Sequence, residues 1–232
     1  MNTKFQCVGL LVGAALFAGC ATSLKGTARN IDARQVDRVI ERQQRYIAEA
    51  TEKVIQSSFR DQGIAKTSWL DQDASNKACS ESQGAALDDK LAKAIEEANL
   101  KTVKMPSDGK FIGDWKEGEK IAQNGRGMTW SDQPGSANGG SCYNCHQISK
   151  EELSFGSIGP SLYNFGKLRG VSNPAAAESK PIVDYTWGKL WNAKAYNACS
   201  GMPRFGHAGI LNEDQMRHVM ALLLDPQSPV NK

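Results

Sequence analysis

Two cysteines and a histidine have the spacing of a covalent cofactor site in the segment Cys142-Tyr143-Asn144-Cys145-His146. Thiols at this spacing can add to the two vinyl groups of a haem, and the histidine can give its imidazole to the iron. A redox dithiol does not need the histidine, and a zinc site needs a second close pair, whereas Cys79 and Cys199 stand singly. The motif therefore predicts one covalently bound haem c, with Cys142 and Cys145 as the attachment points and His146 as an axial ligand.

Met202 is the expected sixth ligand of the iron. It lies in a loop bounded by glycine and proline, well downstream of His146. The alternative for a single methionine is gap filling in a core, and the competing ligands are His207, in the same loop, and His218, which is expected to be solvated. A thioether ligand favours ferrous iron, and a site closed by His146 and Met202 leaves no position for substrate. We therefore expect electron transfer.

The first 19 residues have the composition of a signal peptide. Lys4 is followed by a short apolar run from Val8 to Phe17, too short for a permanent membrane span, and then by Ala18-Gly19. Ala18-Gly19-Cys20 is similar to a bacterial lipoprotein cleavage box, although Phe17 stands where leucine is usual. We expect export to the periplasm, either with a lipid anchor on Cys20 or as a soluble protein cleaved near Ala21.

Cys79 and Cys199 are left over once the haem and lipid cysteines are assigned. Two such cysteines most often pair in an oxidising compartment, and a cross-link that closes a long loop is the more useful one. The alternative is two separate thiols. We predict a disulfide that ties the amino-terminal extension to the haem domain beside Met202.

Length and patterning predict a mainly α protein. The 232 residues carry a net charge of +3, which gives no indication of nucleic-acid binding. Residues 20–104 are expected to form a helical extension, with one apolar stripe from Ala33 to Val54, interrupted at Gln43, and a second from Leu87 to Ala98. These stripes could pack on the haem domain or cover a partner subunit. A boundary at Lys101–Lys110 would leave residues 105–232 as the haem domain.

The elements expected in residues 105–232 resemble those of a class I cytochrome c, in which the terminal helices cross. A helix is expected over Glu117–Asn124, then a loop to Gly140, and a last helix capped by Asn212 and stopped before Pro226. In many class I cytochromes a proline carbonyl accepts the N–H of the proximal histidine. Pro160 stands at that interval, although an ordinary turn would use the same residues. Candidate pocket walls are Tyr163, Phe165, Trp187 and Trp191.

A more specific resemblance is to SoxX, the monohaem cytochrome subunit of the SoxXA complex of bacterial thiosulfate oxidation. It covers about Phe111 to Asn231, roughly half of the chain, and not the long amino-terminal part. The segments that carry it are Phe111–Gly127, the glycine-rich approach to Cys142, Ile158–Leu162, Met202–Gly206 and Leu222–Asn231.

This resemblance implies a role inside a larger enzyme, an L-cysteine S-thiosulfotransferase. SoxXA joins thiosulfate oxidatively to a cysteine of the SoxYZ carrier protein, and in that family the chemistry occurs at the SoxA haem, whose iron carries a modified cysteine. The chain would accept electrons from a SoxA-like subunit and pass them to a cytochrome acceptor, with no catalytic residue of its own.

Two other functions are compatible with the same residues. An independent periplasmic or membrane-tethered electron carrier would form no stable complex with a second cytochrome. A haem enzyme or gas sensor would have an open or labile sixth position and would bind carbon monoxide readily.

Overall fold

The computed structural model describes residues 32–152 and 154–232. The predicted signal peptide and Cys20 lie outside these residues. The described chain is mainly α, as predicted, and its only β feature is an isolated bridge between Gln62 and Ala65. Short 3-10 turns connect six α-helices: α1 Ala33–Ser58, α2 Ala74–Glu81, α3 Asp89–Leu100, α4 Trp115–Gln123, α5 Lys180–Trp191 and α6 Glu213–Leu224.

The chain divides into two compact units after Phe59. The first contains α1, and the second begins at Arg60 and contains the other five helices. Residues 60–104 therefore pack with the rest of the second unit, and the subdivision into an extension and a haem domain stays a prediction.

α1 is the predicted amphipathic helix. The Asp32 side chain accepts a hydrogen bond from the Arg34 backbone N–H at 3.1 Å, which caps the first turn. Neither glycine nor proline interrupts the 26 residues that follow. Among the residues that the structure describes, none in α1 is buried.

α3 is the second predicted helix of the amino-terminal region. Asp88 caps it, and Ile95 and Asn99 are its buried residues. The Asn99 side chain accepts a hydrogen bond from buried Asn192 at 3.0 Å, which ties α3 to the turn after α5. α2 was not predicted, because its eight residues are too few to show a helical period.

α4 and α6 pack closely together. Asn212 and Gln215 form the predicted capping box at the start of α6, which ends before Pro226 as expected. Gly118 lies at the contact between the helices, where a Cβ would come within 2.0 Å of the His218 carbonyl oxygen. A residue without a side chain is therefore required on the α4 side.

α5 was not recognised as a helix from the sequence. Val183, Trp187 and Leu190 are buried there along with Thr186 and Gly188, so the helix lacks the wide polar face that makes a surface helix periodic. The Trp187 indole is fully buried and donates to the Lys104 carbonyl oxygen at 2.7 Å. This bond joins the centre of the second unit to the segment that precedes α4.

Candidate haem site

The Cys-x-x-Cys-His segment folds as a single tight turn. A 3-10 helix spans Cys142–Asn144, and the backbone N–H groups of Cys145 and His146 both donate to the Cys142 carbonyl oxygen, at 3.1 and 2.9 Å. Cys142 and Cys145 are free thiols and are not bonded to each other. The turn thus presents two reduced thiols and an imidazole from five consecutive residues, which is the chemistry that haem attachment requires.

The His146 ring is held by the carbonyl group of Pro160. Nδ1 lies 2.7 Å from the Pro160 carbonyl oxygen. Because a carbonyl oxygen can only accept, Nδ1–H is the donor in this bond. In the neutral imidazole, Nε2 is then the nitrogen with a lone pair for a metal. Such an outer partner fixes the orientation of a ligating imidazole and raises its basicity.

Gly159 gives the imidazole its space. A Cβ at this position would lie 2.1 Å from His146 Cε1 and 2.4 Å from Nδ1. The Gly159 N–H donates to the Cys145 carbonyl oxygen at 2.8 Å. This hydrogen bond holds the segment around Gly159 against the Cys-x-x-Cys-His turn. The spacing in the sequence indicates Pro160 as a candidate. It does not indicate the need for glycine at position 159, because that need depends on a contact with His146, 13 residues away in the sequence.

Burial sets the ionisation of the Cys142 thiol. Desolvation is the main cause that raises its pKa to about 12. The reactive cysteine of a redox dithiol has the opposite property, a lowered pKa that supplies thiolate at neutral pH. The environment of Cys142 is therefore unlike that of a catalytic dithiol.

Met202 lies in a loop that is held by a disulfide before it in the sequence and by an ion pair after it. The predicted disulfide between Cys79 and Cys199 is confirmed, with the two Cα atoms 5.5 Å apart. On the other side of the methionine, Arg204 forms an ion pair with Asp73 at 2.6 Å. Both contacts connect α2 and its cap to the loop, so the extension holds the segment that carries the thioether.

The residues Asp73 and Arg204 were not recognised as positioning residues. They are far apart in sequence, and a carboxylate before a helix is already explained by capping, since the Asp73 side chain accepts from the Asn76 N–H at 2.8 Å. Only the folded chain shows that the same carboxylate also meets the Met202 loop.

The two histidines considered as alternative ligands are placed differently from each other. His207 is exposed, and its pKa is lowered by desolvation and by the nearby Arg204 charge. His218 was expected to be solvated, but it is half-buried and its Nδ1 accepts a hydrogen bond from the Asp114 N–H at 2.9 Å. The imidazole of His218 therefore serves the junction between α4 and α6.

Aromatic side chains pack against one another in the core of the second unit. The rings of Trp187 and Trp191 stack with centroids 6.3 Å apart, and Phe111 meets Trp187 edge-on at 5.6 Å. Phe165 is buried, whereas the Tyr163 hydroxyl donates to the carbonyl oxygen of Lys232. Cys142, Met202 and Trp191 all pack against the same hydrophobic cluster, so the structure brings these three site candidates to one core.

One buried polar atom near the Met202 loop lacks a hydrogen-bond partner among the described residues. The Trp191 Nε1 atom is buried, and among the residues that the structure describes it has no hydrogen-bond acceptor. A buried indole N–H normally has a partner, and a haem carries carboxylates that can accept from one. In residues 32–152 and 154–232, no three His, Cys, Asp or Glu side chains lie together as a metal site. A haem brings most of the ligands of its own iron and would not require such a group. The two thiols, the imidazole and the unpartnered indole N–H are therefore residues that could hold this cofactor.

In the part of the chain that the structure describes, no helix is both long enough and apolar enough to cross a bilayer.

Comparison with known proteins identifies a relative. No protein-family model matches the chain. An uncharacterized lipoprotein of Aquifex aeolicus (strain VF5) is 32% identical over 163 residues, which are 69% of this chain and 73% of the relative. The chain belongs to the same family as this Aquifex lipoprotein.

Proposed function

We propose that the chain is a haem c protein that transfers electrons as the SoxX-like subunit of a SoxXA-type complex. Cys142 and Cys145 would hold the haem covalently, and His146 and Met202 would be the axial ligands. The observation that carries the haem assignment is the bond of 2.7 Å between His146 Nδ1 and the Pro160 carbonyl oxygen, which leaves Nε2 available to iron.

Residues of the chain would set the reduction potential of a site that transfers one electron. When bound, the haem supplies the Fe(III)/Fe(II) couple. Met202 would favour the ferrous state through its soft sulfur, and the Pro160 carbonyl group would fix the orientation of the His146 ring. If His146 and Met202 both held the iron, neither residue would need to move when the oxidation state changes.

The partners follow from the resemblance over residues 111–231. The chain would accept electrons from a SoxA-like cytochrome subunit that couples thiosulfate to SoxYZ, and it would pass them to a soluble cytochrome acceptor. The runner-up function is an independent electron carrier, which the same closed ligand pair would also suit.

A lipid anchor is proposed on Cys20. The Aquifex relative is named as a lipoprotein, and Ala18-Gly19-Cys20 is similar to a lipoprotein cleavage box. A lipidated Cys20 would tether the chain to the periplasmic side of a membrane.

Purification of the native chain with its associated proteins tests the assignment to a complex. We expect a stoichiometric second c-type cytochrome at low and moderate salt, and thiosulfate-dependent modification of SoxYZ only when both are present. Recovery of the haem protein alone under both conditions would contradict the SoxXA assignment and favour the independent carrier.

The Met202→Ala variant tests the sixth ligand. Loss of the thioether should abolish the sulfur-to-iron charge-transfer absorption, lower the reduction potential and allow carbon monoxide to bind. Met105→Ala is the matched control, because Met105 is 51% exposed and its removal should leave the spectrum unchanged. An unchanged spectrum in Met202→Ala would show that another residue ligates the iron.

A further inference from the structure

α1 has the repeat of a coiled coil. Its core-facing positions recur in strictly alternating steps of three and four, which is a period of 3.5 residues. They contain Ala33, Val36, Ile40, Gln43, Ile47, Ala50, Val54 and Ser57, of which the first member of each heptad is apolar throughout.

This apolar stripe is exposed. Val36 and Ile40 are 42% and 48% exposed, and Ile47 and Val54 are 54% and 61% exposed. Most of the stability of a helix in a protein comes from packing of its apolar face, so a helix of 26 residues with this stripe requires a partner.

We propose that α1 forms a parallel, in-register coiled coil with α1 of a second copy of this chain.

The distribution of charge favours a second copy. Seven of the nine charged residues of α1 lie at the outer positions of the heptad: Arg34, Arg38, Glu41, Arg42, Arg45, Glu49 and Glu52. In a parallel pair, the flanking positions would bring Val39 to Gln44, Tyr46 to Thr51 and Lys53 to Ser58 of the other copy. None of these pairs has like charges, and the single like-charge approach, Asp32 to Asp37, falls at the first turn.

Gln43 specifies the orientation and register. Only a parallel, in-register pair brings Gln43 opposite its own copy, where each side-chain amide can both donate and accept. A single polar residue in a coiled-coil core costs stability and selects one alignment. Two features disfavour the alternative that α1 lies on a membrane surface. Gln43 would interrupt the apolar face that such a helix buries in lipid. The five basic and four acidic residues of α1 nearly balance, so anionic lipid would attract the helix only weakly.

The variant Ile47→Glu tests the interface in the full, haem-loaded chain. Sedimentation equilibrium should give a dimer for the parent, and a charge in the core should weaken dimerisation by about a hundredfold or more. Ala48→Glu is the matched control, because it places the same residue on the outer face one position along. It should change the dissociation constant by less than about threefold.

Cysteine cross-linking tests the alignment. Ser57→Cys should form a disulfide between two copies under mild oxidation, and Gln56→Cys, on the outer side, should not. A monomeric parent chain, a cross-link of position 57 to a different protein, or equal cross-linking at both positions would overturn the proposal. So would a monomer that binds phosphatidylglycerol vesicles through α1 and loses this binding in Ile47→Glu.

Discussion

At the scale of single residues, the His146 imidazole is defined by two neighbours. The Pro160 carbonyl oxygen accepts a hydrogen bond from its Nδ1–H group, and Gly159 leaves room for its ring. The sequence indicated the motif and the proline, because both are local patterns. The sequence does not indicate the role of Gly159, because that role depends on how closely the folded chain brings this residue to the His146 ring.

The variant Gly159→Ala should displace the imidazole. A methyl group 2.1 Å from Cε1 cannot be accommodated without movement, and we expect a destabilisation of about 1–3 kcal/mol with an altered haem spectrum. Thermal unfolding and the absorption spectrum provide the measurement. Gly201→Ala, where a Cβ meets nothing within 4 Å, is the control, and equal effects of the two variants would contradict the role of Gly159.

The Asp73 carboxylate should make the Met202 loop sensitive to acid. Burial opposes the shift, but the Asn76 N–H and the Arg204 guanidinium hold the pKa of Asp73 below its ordinary value of 3.8. A carboxyl whose pKa is lowered by folding stabilises the fold above its unfolded pKa, and this contribution is lost as pH falls through the folded pKa.

The variant Asp73→Asn keeps a helix cap and removes the charge. It should lower the free energy of unfolding at neutral pH by up to about 1 kcal/mol, and it should flatten the decline in stability below about pH 4. Denaturant unfolding at several pH values measures both effects. Asp71→Asn, an exposed carboxyl nearby, is the control, and identical pH profiles for the parent and Asp73→Asn would contradict the role of the ion pair.

Among the helices, sequence periodicity predicts those that have one face exposed to solvent. α1, α3, α4 and α6 have such faces, and the Asn212 cap was predicted residue by residue. α5 is buried on several sides, so its apolar residues do not repeat along one face and its sequence lacks the helical periodicity of an amphipathic helix. The disulfide was inferred from the compartment, whereas the ion pair beside it was visible only in the fold.

The disulfide should matter more to the Met202 loop than the ion pair does. Replacement of Cys79 and Cys199 by serine frees a loop of 120 residues, and we expect a loss of about 2–4 kcal/mol. The sulfur-to-iron absorption should disappear at a lower denaturant concentration than in the parent. If the stability and the absorption were both unchanged, the extension would have no part in holding Met202.

For the whole molecule, the proposed lipid anchor determines the cellular location of the protein. A lipid on Cys20 should place the chain in the membrane fraction, and Cys20→Ala should release it to the soluble fraction or block its processing. Cys7→Ala, within the predicted signal peptide, is the control. Release of the parent chain by salt alone, with no lipid mass on Cys20, would contradict the anchor.

The covalent attachment of haem to Cys142 and Cys145 can be measured by the intact mass of the native chain after denaturation, together with its pyridine haemochrome spectrum. We predict one haem per chain that survives denaturation and is lost in a Cys142→Ala, Cys145→Ala double variant. A native chain that carries no haem, or one in which Cys142 and Cys145 form a disulfide, would contradict covalent haem attachment at this motif.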